Sequence, residues 1–200
     1  AMNKFKCKKI IIAGSCNEYS HKDYYFKNKE NSASSKKLNV LGKQKNLIKY
    51  IFTSKLNKYV KLIWSRIFYV YGPGQRKRSL LSSLIEKYEK KEKFILKNSN
   101  VYNDFIFIDD VVSALKLLIK VNKNMTINIC SSISCSNHNF IKKFAKITKT
   151  KNNMYKLYKN KKTYLVGSNQ LLKLYGWNQN YNLITGIKKT LNARKQNLYI

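Results

Sequence analysis

The sequence predicts an α/β fold built on a parallel sheet, and three observations carry that expectation. Short continuous apolar runs end at glycine, as in Lys9-Ile-Ile-Ile-Ala-Gly14 and in Val60 to Tyr71 before Gly72-Pro73-Gly74. Such runs suit strands buried on both faces. Between them, from about Leu41 to Lys58, a helical period places Leu47, Ile48, Ile51, Phe52 and Leu56 on one face. Strand-like and helix-like segments then keep alternating to the C-terminus.

Taken in order, Lys9–Gly14 is the first strand, and the polar residues 20–38 form a loop rich in Lys, Asn and Ser. The helix over 41–58 and the run 60–71 complete a βαβ unit, for which a right-handed crossover is expected. Leu80, Leu81, Leu84, Ile85 and Tyr88 mark an amphipathic helix. Phe105–Ile108 is a short strand. Asp109-Asp110 should cap the next helix, because a carboxylate accepts from its orphan N–H groups and suits its positive end. Thr126–Cys130 is another strand, and residues 137–149 and roughly 183–195 are further helices.

Apolar residues make up 44% of the 200, a globular composition with no internal repeat. No apolar run approaches the ~20 residues of a membrane span. No secretory signal is recognisable at the start, so a cytoplasmic protein is expected. The charge is unusual: 41 Lys+Arg against 9 Asp+Glu, net +32. Such a field attracts polyanions. Yet Arg66, Arg76, Arg78 and Arg194 are the only arginines, and readers of nucleic acid usually use Arg. The lysines come in ones and twos between apolar residues, and Lys, Asn, Ile and Tyr all have AT-rich codons. Genome composition explains the charge better than a selected nucleic-acid surface. Cys7, Cys16, Cys130 and Cys135 show no CxxC spacing, and His21 and His138 are far apart. No metal site is expected, and the thiols read as free in a reducing compartment.

Five segments in order resemble the NAD-dependent epimerase/dehydratase family, the extended short-chain dehydrogenases that act on nucleotide sugars. Ala13-Gly-Ser-Cys-Asn-Glu-Tyr19 resembles the strand end that carries the catalytic Ser/Thr. Arg66-Ile-Phe-Tyr-Val-Tyr-Gly-Pro-Gly-Gln75 is similar to "R-x-F-N-V-Y-G-P-G-Q". Asn103-Asp-Phe-Ile-Phe-Ile-Asp-Asp-Val-Val112 is similar to "R-D-F-I-H-V-D-D-V". Asn128-Ile-Cys130 resembles "N-I-G", and Leu172-Lys-Leu-Tyr-Gly-Trp177 resembles the closing "L-G-W".

The resemblance implies a partial Rossmann-like parallel sheet over residues 1–75 and a small α/β substrate domain over 76–200, with the strand near 126–130 returning to the first sheet. It also implies absences. Family members open with a strand and a Gly-rich turn that holds the cofactor pyrophosphate. None of the seven glycines here forms one after an opening strand. By the family's order, residue 1 falls near the end of the helix before the fifth strand, with about the first third of a full-length member missing.

The family reaction passes a hydride from sugar to NAD or NADP while a tyrosinate takes the hydroxyl proton, helped by a Lys four residues later and a Ser/Thr. The resemblance places Ser15 and Lys45 in the catalytic Ser/Thr and Lys roles. It places Ala13, Lys45 and Phe68 against the cofactor, and Tyr69 and Asn103 against the substrate. The tyrosine position is Leu41, which cannot transfer a proton. Tyr25-x-x-x-Lys29 and Tyr158-x-x-x-Lys162 match the bare pattern but do not precede the right helix. Asn103 replaces the Arg that pairs with a nucleotide diphosphate, and Tyr69 replaces an Asn.

Three functions follow as expectations. The first is a truncated, catalytically impaired family member that does not bind NAD alone. The second is half of a split enzyme, completed by an N-terminal partner chain or by homo-oligomerisation. The third is a basic binder of nucleic acid or other polyanions.

Overall fold

The computed structural model describes residues 7–32, 38–56, 58–151 and 154–196. Two main sheets, the first wholly parallel and the second mixed, meet where the chain passes from Ile67 to Tyr69. The first holds β1 (Lys9–Ser15), β3 (Lys61–Ile67) and β7 (Met125–Ile129), in the order β1-β3-β7. Lys9 lies opposite Lys61 and Ser15 opposite Ile67, while Ile63 lies opposite Met125. Helix α1 (Val40–Lys55) connects β1 to β3, as the βαβ pattern requires.

The expected run Val60 to Tyr71 is two strands. β3 ends at Ile67, Phe68 donates its N–H to the Ile129 carbonyl, and β4 (Tyr69–Tyr71) leaves for the second sheet. There it pairs with β6 (Val101–Phe107), which also pairs with β10 (Thr163–Gly167) and, antiparallel, with β8 (Ser134–Ser136). β2 (Lys27–Asn28) lines the outer side of β10 and breaks the expected 20–38 loop. Residues 33–37 of that loop lie outside the described residues. A separate parallel pair joins β5 (Phe94–Leu96) to β9 (Tyr155–Leu157).

The amphipathic patterns become α2 (Leu80–Glu89), α3 (Ile108–Lys120), α4 (Asn137–Thr148) and α6 (Leu183–Lys195), with a short α5 (Gln170–Leu174). One core lies under α2, α4 and α6, where Leu81, Leu84, Phe107, Phe140, Phe144 and Ile187 pack. A second lies between the first sheet and α3 and α5, around Ile63, Ile127, Leu118 and Trp177. No helix among the described residues is long and apolar enough to cross a membrane.

The Asp109-Asp110 cap is corrected. Helix α3 has no side-chain cap. Asp110 instead accepts from the N–H groups of Asn180 and Tyr181, at 2.8 and 3.1 Å, and Asp109 pairs with Lys189 at 2.7 Å. The carboxylates tie α3 to the segment before α6. Sequence proximity to a helix start shows an available acceptor, not which donors reach it.

Candidate functional site

The site grows from the end of β1. Ser15 is the N-cap of a single 3-10 turn, Cys16–Glu18. Its Oγ accepts from the backbone and side-chain amides of Asn17, at 3.2 and 3.1 Å. Glu18 reaches back to accept from the Ser15 N–H at 2.9 Å, closing a capping box.

Glu18 is fully buried, and it also accepts from the Trp64 indole and from Arg66 Nε at 2.7 Å. Arg66 donates onward to the Tyr19 hydroxyl at 2.6 Å and to the Glu30 carbonyl at 3.0 Å. Tyr19 donates to the Lys29 carbonyl and to Asn128 Oδ1. Burial pushes the Tyr19 phenol up to about 12, although Arg66 opposes it. This network holds the floor under Ser15, and a fully satisfied network of that kind fixes its members in place. The expectation from sequence included Arg66 but missed Glu18, its counter-ion.

Helix α1 docks against the same turn. Asn39 caps it by accepting from Gly42 N–H and donates to Asn17 Oδ1 at 2.7 Å. Gly42 passes so close that an added Cβ would lie 2.1 Å from the Asn17 carbonyl oxygen. That contact sets the register of the helix. One turn on, Lys45 Nζ donates to the Ala13 carbonyl at 2.6 Å. Ser15, Ala13 and Lys45 are thus brought to one end of β1. Leu41 sits in the first turn of α1, 45% exposed. Tyr25 stacks edge-on against Tyr164 instead, at 5.8 Å.

From Ser15 a cleft of about 1000 Å³ opens between the two sheets. Ser15, His21, Tyr69, Asn103, Arg76 and Arg78 line it. Asn103 is 5% exposed, bonded to Asn137 Oδ1 at 3.2 Å and to the His21 ring at 3.3 Å. His21 is exposed at the mouth, and partial desolvation there holds its imidazole below the usual value. Tyr69 packs on Phe105, and desolvation raises its phenol further still. Cys16 is buried beside it, its thiol pushed up to about 12 by desolvation, so it stays protonated. Phe68 is buried with Cys16, Tyr19 and Leu165, its ring tilted against Tyr19.

The cleft also holds polar groups that the sequence pattern did not single out as site residues. Arg76 and Arg78 are two of the chain's four arginines, a scarcity that was the available signal. Gln75 donates its amide to the Val70 carbonyl at 2.8 Å, while its Oε1 is buried with no partner among the described residues. Such an unpaired acceptor is costly unless a ligand supplies the donor.

The sequence model of the NAD dependent epimerase/dehydratase family matches residues 1–130. The chain belongs to this family. Among solved structures, it is similar to UDP-glucose 4-epimerase from the hyperthermophile Thermotoga maritima, solved with UDP-glucose. The identity is 21% and the TM-score 0.87, over 98% of this chain and 66% of that one. It is also similar to dTDP-glucose 4,6-dehydratase from Bacillus anthracis, solved with NAD, at 15% identity and TM-score 0.85 over 98% and 64%. A third is UDP-glucuronic acid 4-epimerase from Bacillus cereus, solved with NAD, at 20% identity and TM-score 0.84 over 100% and 65%. At these identities the likeness shows the fold. The family member therefore spans about two thirds of the length of these relatives. No curated protein matches it in sequence.

The residues present fit only one end of a dinucleotide. Lys45 and Ser15 offer a cation and a hydroxyl together at the end of β1, but the 200 residues contain no Gly-rich turn after a strand to hold a pyrophosphate.

Proposed function

We propose that the cleft binds a nucleotide sugar and that these 200 residues alone do not turn it over. The observation that carries the binding is the convergence of Arg76 and Arg78 with Ser15 and the unpaired Gln75 Oε1 on one cleft. A diphosphate is a dianion, and guanidinium groups match it with paired hydrogen bonds. Arg76 and Arg78 take that task where Asn103, already bonded to Asn137 and His21, does not. Gln75 Oε1 accepts from a sugar hydroxyl. Solved relatives bind UDP-glucose and UDP-glucuronic acid, which supports a UDP-sugar as the ligand class. The boundary near residue 75 then separates a cofactor side from a substrate side.

On the cofactor side, Ser15 hydrogen-bonds the reacting hydroxyl and Lys45 faces the ribose. NAD or NADP would supply the hydride acceptor when bound. Leu41 holds no proton, so the step that a tyrosinate performs has no base at that position. The other groups beside Ser15 do not replace it: Cys16 is held protonated and Tyr69 is raised further. This supports an impaired family member whose pyrophosphate-binding part lies outside these residues.

Saturation-transfer NMR with UDP-glucose and free UDP tests the binding. Both probes should show transfer, and both should lose it in the double variant Arg76→Ala, Arg78→Ala. Equal transfer to that variant would contradict the assignment.

A further inference from the structure

The second sheet carries a cluster of rings and cations that the nucleotide-sugar reading leaves unused. Tyr102 and Tyr164 stand in register on β6 and β10. Strand alternation turns them away from the face of Asn103 and Leu165, and neither lines the cleft. Their ring centroids lie 4.7 Å apart, tilted by 31°. Tyr25 meets Tyr164 edge-on, and Tyr24 lies across from Phe26 at 6.5 Å. The loop that carries these rings is pinned to the sheet. Lys22 N–H donates to the Tyr164 carbonyl at 2.9 Å, and Tyr164 N–H donates back at 2.7 Å.

Cations sit on the same rings. Lys162 Nζ lies 5.3 Å from the Tyr102 centroid and 5.4 Å from that of Tyr164, and Lys22 Nζ lies 6.0 Å from that of Tyr24. The acid in this cluster, Asp23, is paired with Lys161 at 3.5 Å. Tyr24, Tyr25 and Phe26 are 56%, 53% and 41% exposed. Three consecutive aromatic residues held open to water on a pinned loop, ringed by lysines, call for a ligand that is flat and anionic at once.

We propose that this platform binds single-stranded nucleic acid. Bases stack on the exposed rings of Tyr24, Tyr25 and Phe26, which the packed Tyr102–Tyr164 pair supports from the sheet, and Lys22, Lys161 and Lys162 meet the phosphates. Stacking tolerates any base, because every base has a flat face. Lysine suffices as a point charge for phosphate, and the scarcity of arginine goes with binding that does not read sequence. A duplex hides its base faces, and a sulfated glycan has none, so either would meet the lysines alone. The net charge of +32 adds long-range attraction.

Fluorescence anisotropy of a labelled oligothymidylate tests the platform. The variant Tyr24→Ala, Tyr25→Ala should bind about tenfold more weakly, with the salt dependence unchanged. The variant Tyr24→Phe, Tyr25→Phe keeps the flat rings and should bind like the wild type, which separates stacking from folding. Lys161→Ala, Lys162→Ala should flatten the slope of log K against log salt by roughly 1.4. Duplex DNA and heparin should bind through charge alone, with affinities that the tyrosine changes leave unaltered. Wild-type affinity in the Tyr→Ala variant, or equal loss of heparin binding in it, would overturn the proposal. Arg76→Ala, Arg78→Ala should leave oligothymidylate binding unchanged, so this test stands apart from the nucleotide-sugar site.

Discussion

Helices α1 and α4 each carry an apolar triplet at the same spacing, Leu47-Ile48-Ile51 and Phe140-Ile141-Phe144, and the two triplets have opposite fates. In α4, Phe140, Ile141 and Phe144 are at most 1% exposed, sealed under α2 and α6. In α1, Leu47, Ile48 and Ile51 are 59%, 38% and 47% exposed, and Gly42 alone is buried. The strand beneath α1 differs in the same way. Among the described residues β1 pairs with β3 on one side only, whereas β6 has partners on both. One half of the molecule is a closed core, and the other is a surface still apolar. Periodicity therefore tells which face of a helix is greasy, not what covers it.

The largest expected effect breaks the comparison if the two helices respond alike. Phe140→Ala should cost about 3–5 kcal/mol in urea unfolding, while Ile51→Ala should stay within about 0.5 kcal/mol. Equal losses would mean that α1 is covered as well.

The floor under Ser15 rests on the buried ion pair of Glu18 and Arg66. Arg66→Met leaves the buried Glu18 carboxylate without its counter-ion, held only by the Ser15 and Trp64 N–H donors, and should cost roughly 3–5 kcal/mol. Adding Glu18→Gln should recover part of that loss, since the uncompensated charge is gone. Denaturant midpoints of the single and double variants check this.

A pH effect sharpens the picture of the closed half. Asp104 is fully buried, and desolvation pushes its carboxyl up to about 6 from the ordinary 3.8, against the pull of the Ser131, Ser132 and Gly167 donors. A carboxyl raised on folding takes up a proton as the chain folds. Its contribution to stability is full below about pH 4 and is lost as the pH rises through 6. Carbon-detected NMR should place the Asp104 midpoint near 6, and a midpoint below 4 would show that the donors outweigh burial.

The smallest effect on stability falls on the open half. Ile48→Lys with Ile51→Lys should leave the denaturant midpoint nearly unchanged yet reduce self-association in sedimentation, because an exposed apolar face drives contact.

Much of this was legible in the sequence, for reasons that differ by element. The strands β1, β3 and β7 are short apolar runs, and buried parallel strands announce themselves that way. The family followed from five ordered segments. Ser15, Ala13 and Lys45 meet at the end of β1 because local spacing along one βαβ unit dictates it. What escaped was long-range. β8 and β10 are brief, and they form by pairing with distant strands, β8 with β6 and β10 with β6 and β2. Glu18 gave no local sign that its partner is Arg66, 48 residues on. The ring cluster joins Tyr25 to Tyr102 and Tyr164 across the sheet, so no window of sequence contains it. The fold brings Lys22 to the same ring cluster as Lys161 and Lys162.

In the proposed function these residues hold the sugar-nucleotide end of the site, and a turn for the dinucleotide's pyrophosphate is not among them. Isothermal calorimetry on the purified chain tests this with two titrants. The expected result is saturable heat with UDP-glucose, lost in the Arg76→Ala, Arg78→Ala variant, and none with NAD. Saturable heat with NAD and none with UDP-glucose would contradict it.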